Sequence, residues 1–142
     1  MVSVTADSNF YVSALNFPGP PARLLAMANA GRIRLDLSDE ILAETMNVLR
    51  KKFDWPGELI HAWNGRLRTF TNRVTPTERL DVIKHDPPDD RILECAVAAN
   101  SDYIVSADKD LLRLGKYGNA QIVRVADFLN VLLEKPGQGG SD

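Results

Sequence analysis

Several carboxylates of this 142-residue chain fall where an α/β sheet would bring them together. Asp7 follows a short alternating segment that predicts a strand, and Asp108 and Asp110 follow another strand-like segment, residues 103–106. Asp90 lies in the first turn of the predicted helix that leads into that second strand. Because ligands of open α/β sheets bind beyond the carboxyl ends of the strands, the spacing predicts an acidic cluster at one sheet edge.

The expected cluster has the chemistry of a site for a hard divalent cation. His61 and His85 are not at metal-ligand spacing, and Cys95 lies in an apolar helical stretch that predicts a buried structural thiol. Carboxylates without histidine or cysteine suit magnesium or manganese. Such a cation lowers the pKa of an attacking water and neutralises charge on a phosphodiester during its hydrolysis. The acids therefore predict metal-dependent cleavage of phosphodiester bonds.

Glu44 is a further candidate, on a long predicted helix. It lies three residues after Ile41 and four before Val48, so these residues share one helix face. A carboxylate between apolar neighbours is expected to be partly buried, which is costly unless the group is paired or bound to a metal. The local sequence supplies no cation on that face, so we expect Glu44 to join the other acids.

Each of these acids also has an ordinary structural explanation. An aspartate that follows a strand could be a turn residue or a helix cap, and Asp89 or Asp90 could cap the helix that begins near them. Glu44 could be an exposed helix residue. Independent caps need not converge on one edge of a sheet, so the joint pattern favours a site.

The elements that must position the acids alternate between short strands and helices. Strands are predicted at residues 2–6, 33–37, 103–106 and 121–125, and two short extended pieces at 73–83. Helices are predicted at residues 11–16, 20–30, 39–53, 58–70, 90–100, 107–112 and 126–133. Ser38 is a good N-cap for the longest of these helices.

This alternation predicts an α/β fold, a three-layer α/β/α sandwich with a mainly parallel central sheet. Residues 1–134 are expected to form a single domain. The tail at residues 135–142 lacks apolar anchors and is expected to be disordered. No segment has the length of a membrane span or the pattern of a signal peptide, so a cytoplasmic protein is expected.

The charge balance constrains how such a protein could hold a nucleic acid. The net charge is −2 and the pI about 5.7, so phosphate contacts must come from local patches of positive charge. The candidates are three residues at the end of the long helix, Arg50, Lys51 and Lys52, and three further along the chain, Arg66, Arg68 and Arg73. An ordinary solvated helix surface is the alternative explanation for these residues.

Four blocks of sequence carry a resemblance to a known family. They are Val-Thr-Ala-Asp-Ser-Asn from residue 4, Ser-Asp-Glu-Ile-Leu-Ala-Glu from residue 38, Asp-Pro-Pro-Asp-Asp-Arg from residue 86 and Ile-Val-Ser-Ala-Asp-Lys-Asp-Leu from residue 104. In this order and spacing the chain resembles PIN-domain ribonucleases, especially the VapC-like toxins of bacterial toxin–antitoxin pairs.

The resemblance implies a function and a set of site residues. It implies RNA cleavage with Mg²⁺ or Mn²⁺, a homodimer, and a small antitoxin that blocks the groove. The catalytic residues would be Asp7, Glu44, Asp90 and Asp108. The metal ligands would be Asp7, Asp90, Asp108 and Asp110, and Asn9 and Ser106 would support the site. Ser8 stands where the family often has threonine, and Arg91 where many members have asparagine or another polar residue.

Other functions also fit the pattern. A PIN-type nuclease of RNA processing or decay has the same residues as a toxin. A receiver-like phosphoacceptor domain is also α/β with acids at its strand ends, but it gives no role to Glu44. A non-catalytic module of PIN shape usually lacks some acids, whereas this chain retains all of them.

Overall fold

The structure, a computed structural model that describes residues 1–83 and 87–134, is built around one six-stranded sheet. Its strands are β1 (Ser3–Ala6), β2 (Arg34–Ser38), β3 (Asn72–Val74), β4 (Tyr103–Val105), β5 (Lys116–Tyr117) and β6 (Ala120–Val123). They lie in the order β3-β2-β1-β4-β6-β5. Every pair is parallel except β5 with β6, so β1, β2, β3, β4 and β6 end at the same edge.

Seven helices of the described part of the chain cover the sheet. They are α1 (Ser8–Asn16), α2 (Pro20–Asn29), α3 (Asp39–Phe53), α4 (Gly57–Phe70), α5 (Pro87–Ala99), α6 (Lys109–Leu114) and α7 (Val125–Glu134). Helix α5 packs on the strands β1 to β4, while α1 contacts α2 and α3, and α2 contacts α7. The predicted three-layer α/β/α sandwich is confirmed. None of the described helices is long and apolar enough to cross a membrane.

Local signals place the helix that carries Glu44. Ser38 adopts an extended backbone and its hydroxyl accepts the backbone N–H of Ile41, so α3 begins at Asp39 as predicted. Asp54 ends the helix in the left-handed conformation, with φ of 54°. Leu42, Met46 and Leu49 are buried along one face, which fixes the rotation of α3 about its axis.

The sheet also contains a buried acid that the sequence did not mark. Asp36 of β2 is fully buried, and its carboxylate accepts hydrogen bonds from Arg34 at 2.7 Å, Asn72 at 2.9 Å and Ser101 at 2.7 Å. These charged and polar partners offset the cost of burial. Asp36 therefore ties β2 to its neighbours and is not one of the acids at the strand ends.

Two predictions about the later elements were wrong. Residues 75–83 form no second extended piece, because backbone N–H groups of this segment bond to carboxylates of α5 instead of to a strand. The short strand β5 was missed; it forms a hairpin with β6 through Gly118, which has φ of 59°. The predicted tail at 135–142 and residue His85 lie outside the described residues.

Candidate metal and active site

Asp7 joins the end of β1 to the start of α1. It caps the helix through Oδ1, which accepts the backbone N–H of Phe10 at 2.9 Å. Its Oδ2 accepts the hydroxyl of Ser106 at 2.6 Å, and the same hydroxyl oxygen accepts the backbone N–H of Asp108 at 2.9 Å. Ser106 therefore couples the ends of β1 and β4, and it holds Asp7 and Asp108 in fixed relation. The supporting role predicted for Ser106 in the site stays a prediction.

The electrostatics of Asp7 show which acids face it. Burial raises the pKa of Asp7 above its ordinary value of 3.8, while the hydrogen bonds from Ser106 and Phe10 lower it. The negative charges of Asp108 and Glu44 raise this pKa further. Carboxylates from three different segments thus share one electrostatic environment, in which a bound cation would relieve the repulsion.

A compact group of carboxylates lies beside Asp7. One carboxylate oxygen each from Asp89, Asp108 and Asp110 lies within 4.8 Å of the other two. Magnesium bonds of about 2.1 Å place ligand oxygens roughly 3–4 Å apart, so a small closure would bring these oxygens onto one ion. The all-oxygen donor set also suits Mg²⁺ or Mn²⁺. The residues present therefore fit a hard divalent cation.

The start of α6 positions both Asp108, which is its N-cap, and Asp110, which lies in its first turn. The carboxylate of Asp108 caps this helix by accepting the backbone N–H groups of Asp110 at 2.9 Å and Leu111 at 3.1 Å. Asp110 also forms an ion pair with Arg113 at 2.9 Å. The capping explanation for Asp108 is thus correct, but the cap and the acidic group involve the same carboxylate.

Asp90 has a different environment from its neighbour Asp89. Helix α5 begins at Pro87, so both acids lie in its first turn, and neither is the N-cap considered for this helix. The carboxylate of Asp90 is buried, and its Oδ1 accepts the backbone N–H groups of Val82 at 2.9 Å and Ile83 at 2.8 Å. Among the described residues the acidic group contains Asp89 instead. The metal role predicted for Asp90 stays a prediction.

A second buried acid of α5 holds the same incoming segment. Glu94 accepts the backbone N–H of Leu80 at 2.7 Å and pairs with Arg91 at 2.9 Å and Arg79 at 3.4 Å. Asp90 and Glu94, one helical turn apart, therefore fasten residues 80–83 along α5. These bonds fix the position of the helix that carries Asp89.

Glu44 is partly buried on α3, as the pattern of its helix face predicted. Its charge contributes to the raised pKa of Asp7. No lysine or arginine in the described part of the chain forms an ion pair with Glu44. Asn9 is exposed in the first turn of α1 and lines a cavity together with Asp7 and Ser106.

The predicted RNA-contacting cations fall into two separate groups. Arg50, Lys51 and Lys52 are exposed in the last turn of α3, and its 15 residues place them about 20 Å from its first residue, Asp39. The second group consists of Arg66, Arg68 and Arg73. Arg66 lies over the Trp63 ring, and Arg68 and Arg73 form ion pairs with Asp39. Their contact with RNA stays a prediction.

Comparison with known proteins identifies one relationship. A family model for the PIN domain matches residues 3–110, which is about three quarters of the chain and includes every acid discussed above from Asp7 to Asp110. No protein of curated function matches the chain.

Proposed function

Because the chain belongs to the PIN-domain family, whose members are metal-dependent nucleases, we propose that it is a ribonuclease that hydrolyses RNA phosphodiester bonds with Mg²⁺ or Mn²⁺. The observation that supports the proposal is the close approach of Asp89, Asp108 and Asp110, of which Asp108 is linked to Asp7 through Ser106 at the ends of β1 and β4. This is the place where open parallel sheets bind their ligands.

Asp89, Asp108 and Asp110 would hold the cation through one carboxylate oxygen each. A bound divalent cation supplies acidity to a water molecule and positive charge to a phosphodiester. Asp108 is already oriented by its bonds to the first turn of α6, so little rotamer freedom has to be lost when it binds a cation.

Asp7 contributes a carboxylate that hydrogen bonds hold in one orientation. Both of its oxygens are engaged, by Phe10 and by Ser106, so its carboxylate cannot rotate. The charge of Asp7 adds to the attraction for a cation at the neighbouring acids. Ser106 acts as a positioning residue, because its hydroxyl bonds to both Asp7 and Asp108.

Glu44 is the carboxylate best suited to accept a proton from the attacking water. It is partly exposed, its charge acts on Asp7, and no described lysine or arginine forms an ion pair with it. A general base must be within hydrogen-bonding reach of the proton that it takes up. Its place on the well-anchored helix α3 meets this need for fixed geometry.

The experiment that tests the function is cleavage of a labelled single-stranded RNA by the purified protein. Cleavage is expected with MgCl₂ or MnCl₂ and is expected to stop in excess chelator, while the fold persists by circular dichroism. A matched single-stranded DNA serves as the comparison substrate. Absence of RNA cleavage with either metal, by folded protein, would refute the proposal.

We further propose that the enzyme is the toxin of a toxin–antitoxin pair, which rests on the resemblance of the four sequence blocks to VapC-like toxins. Induced expression should then arrest growth, and co-expression of a short reading frame encoded next to it should restore growth. Growth that is unaffected by the active enzyme would favour a role in RNA processing or decay.

We also propose a homodimer that uses α2 and α3. In support of the part played by α2, this helix and α7 border an apolar groove of about 550 Å³, and its lining residue Leu133 is 73% exposed. Exposed apolar surface of this kind is typical of interfaces. Light scattering should give twice the monomer mass, and a monomer across a wide concentration range would exclude the dimer.

A further inference from the structure

A cavity opens beside the acidic group, and neither the metal nor the proposed proton transfer uses it. It measures about 300 Å³ and lies between the start of α1, the start of α2 and the start of α7. Asp7 and Ser106, which follow the ends of β1 and β4, are among the residues that line it. The cavity and the acidic group therefore share residues.

The lining has the composition of a pocket for a flat organic ring. Apolar side chains form most of it, among them Phe10, Pro21 and Val125. The polar groups are few and lie among these apolar surfaces; Asn9 offers an amide and Ser13 a hydroxyl. Pockets that bind small organic groups combine apolar walls with a few placed hydrogen-bonding groups, and this volume is at the lower end of their range. One nucleobase meets these requirements.

The positively charged side chain of Arg124 also lines this cavity. Arg124 follows β6, is exposed, and within the described part of the chain forms no ion pair. Arg68 and Arg73, by contrast, share Asp39 as an ion-pair partner. An arginine without an acidic partner can bind a phosphate through parallel N–H groups. Arg124 therefore supplies the phosphate contact that the acids cannot supply.

From this arrangement we infer that the cavity is a nucleobase subsite for single-stranded RNA. It holds the base next to the scissile phosphate, Asn9 bonds to the edge of that base, and Arg124 contacts the adjoining phosphate. The inference rests on the proposed ribonuclease function. Its structural basis is that Asp7 and Ser106 line the cavity and that Ser106 also bonds to Asp108 of the acidic group, so a base in the cavity carries its phosphate toward the carboxylates.

The base subsite is tested first without metal and without cleavage. The four ribonucleosides are titrated into isotopically labelled protein in chelator, and amide chemical shifts are recorded. Shifts at Asn9 and Val125 are expected, with affinities that differ among the four bases, and Ser13→Phe should abolish them by filling the cavity. Shifts confined to other surfaces, or unchanged in Ser13→Phe, would overturn the inference.

The phosphate contact is tested in the cleavage reaction, with Lys116→Gln, which changes an exposed cation on the edge strand β5, as the control. Arg124→Gln is expected to raise the KM for RNA about tenfold. It should also reduce the slope of log affinity against log salt by about 0.7, the value for one phosphate of a single strand. Arg124→Lys should restore part of the loss, and Lys116→Gln should change neither quantity.

The outcomes separate this inference from the proposed function. Nucleoside binding in the cavity by a protein that cleaves no RNA would support the subsite and refute the nuclease. RNA cleavage with no preferred base next to the cut, or with a preference that Ser13→Phe leaves unaltered, would support the nuclease and refute the subsite. A base preference at one fixed position that Ser13→Phe removes supports both.

Discussion

The adjacent acids Asp89 and Asp90 provide a matched pair of substitutions with opposite expected results. The structure places Asp89 in the acidic group and gives Asp90 two backbone N–H bonds from residues 82 and 83. Asp89→Asn should therefore weaken metal binding, whereas Asp90→Asn should destabilise the fold and leave metal binding nearly unchanged. The two variants have the same change in charge and volume, one residue apart.

The loss of stability expected for Asp90→Asn follows from the two hydrogen bonds that its carboxylate accepts. A bond to a charged acceptor contributes about 1.5–3 kcal/mol and one to a neutral acceptor about 0.5–1.5 kcal/mol. Loss of the charge should therefore cost about 1 kcal/mol for each of the two bonds, or about 2 kcal/mol in the free energy of unfolding. For a domain of this size the melting temperature should fall by roughly 5–10 °C.

The assay combines thermal unfolding in chelator with calorimetric titration of MnCl₂. For Asp89→Asn we expect an at least tenfold higher Kd for Mn²⁺, because one of the three carboxylates becomes an uncharged amide. For Asp90→Asn we expect a lower Tm and a Kd within about twofold of the parent value. A variant Asp90→Asn that loses Mn²⁺ affinity as strongly as Asp89→Asn, with an unchanged Tm, would refute this assignment.

The remaining predictions concern charge at the acidic edge. Because the pKa of Asp7 is raised in the folded protein, ionisation of Asp7 opposes folding. The variant Asp7→Asn keeps the helix cap, so in chelator its stability relative to the parent should increase as the pH of the unfolding experiment rises from about 3 to 7. A stability difference that does not change with pH would contradict this. Glu44→Gln should leave the protein folded and slow RNA cleavage at least a hundredfold in single-turnover kinetics, so cleavage at the parent rate would exclude it from the site. Replacing Arg66 by alanine should flatten the salt dependence of RNA binding by about 0.7 in log–log slope, whereas replacing the exposed Lys116 of β5 should not; equal effects would place RNA elsewhere.

Those parts of the fold that local signals determine could be predicted from the sequence. Helix α3 begins and ends as predicted, because Ser38 caps it and apolar residues repeat at helical spacing. The strand ends after Ala6 and Val105 were also predicted to within about one residue, since buried strands leave a strong apolar pattern. These two strand ends place Asp7 and Asp108 at one edge of the sheet.

Features that depend on distant contacts could not be predicted. Helix α5 begins at Pro87, and its first turn is tied by Asp90 to residues 82 and 83. Either adjacent aspartate could have faced the site, and which one does depends on the rotation of α5. The hydrogen bonds of Asp90 and Glu94 to residues 80–83 help to fix that rotation. No local pattern records these bonds, so Asp89 was considered only as a helix cap.

The central claim, that the acids at the strand ends form the centre of a metal-dependent ribonuclease, is tested most directly by one kinetic comparison. The rate of single-stranded RNA cleavage is measured against MnCl₂ concentration for the parent, for Asp108→Asn, and for Asp54→Asn as an exposed control at the far end of α3. The account predicts saturable Mn²⁺-dependent cleavage by the parent and the control, and loss of at least a hundredfold in folded Asp108→Asn. Cleavage that persists in chelator, or that Asp108→Asn performs at the parent rate, would contradict it.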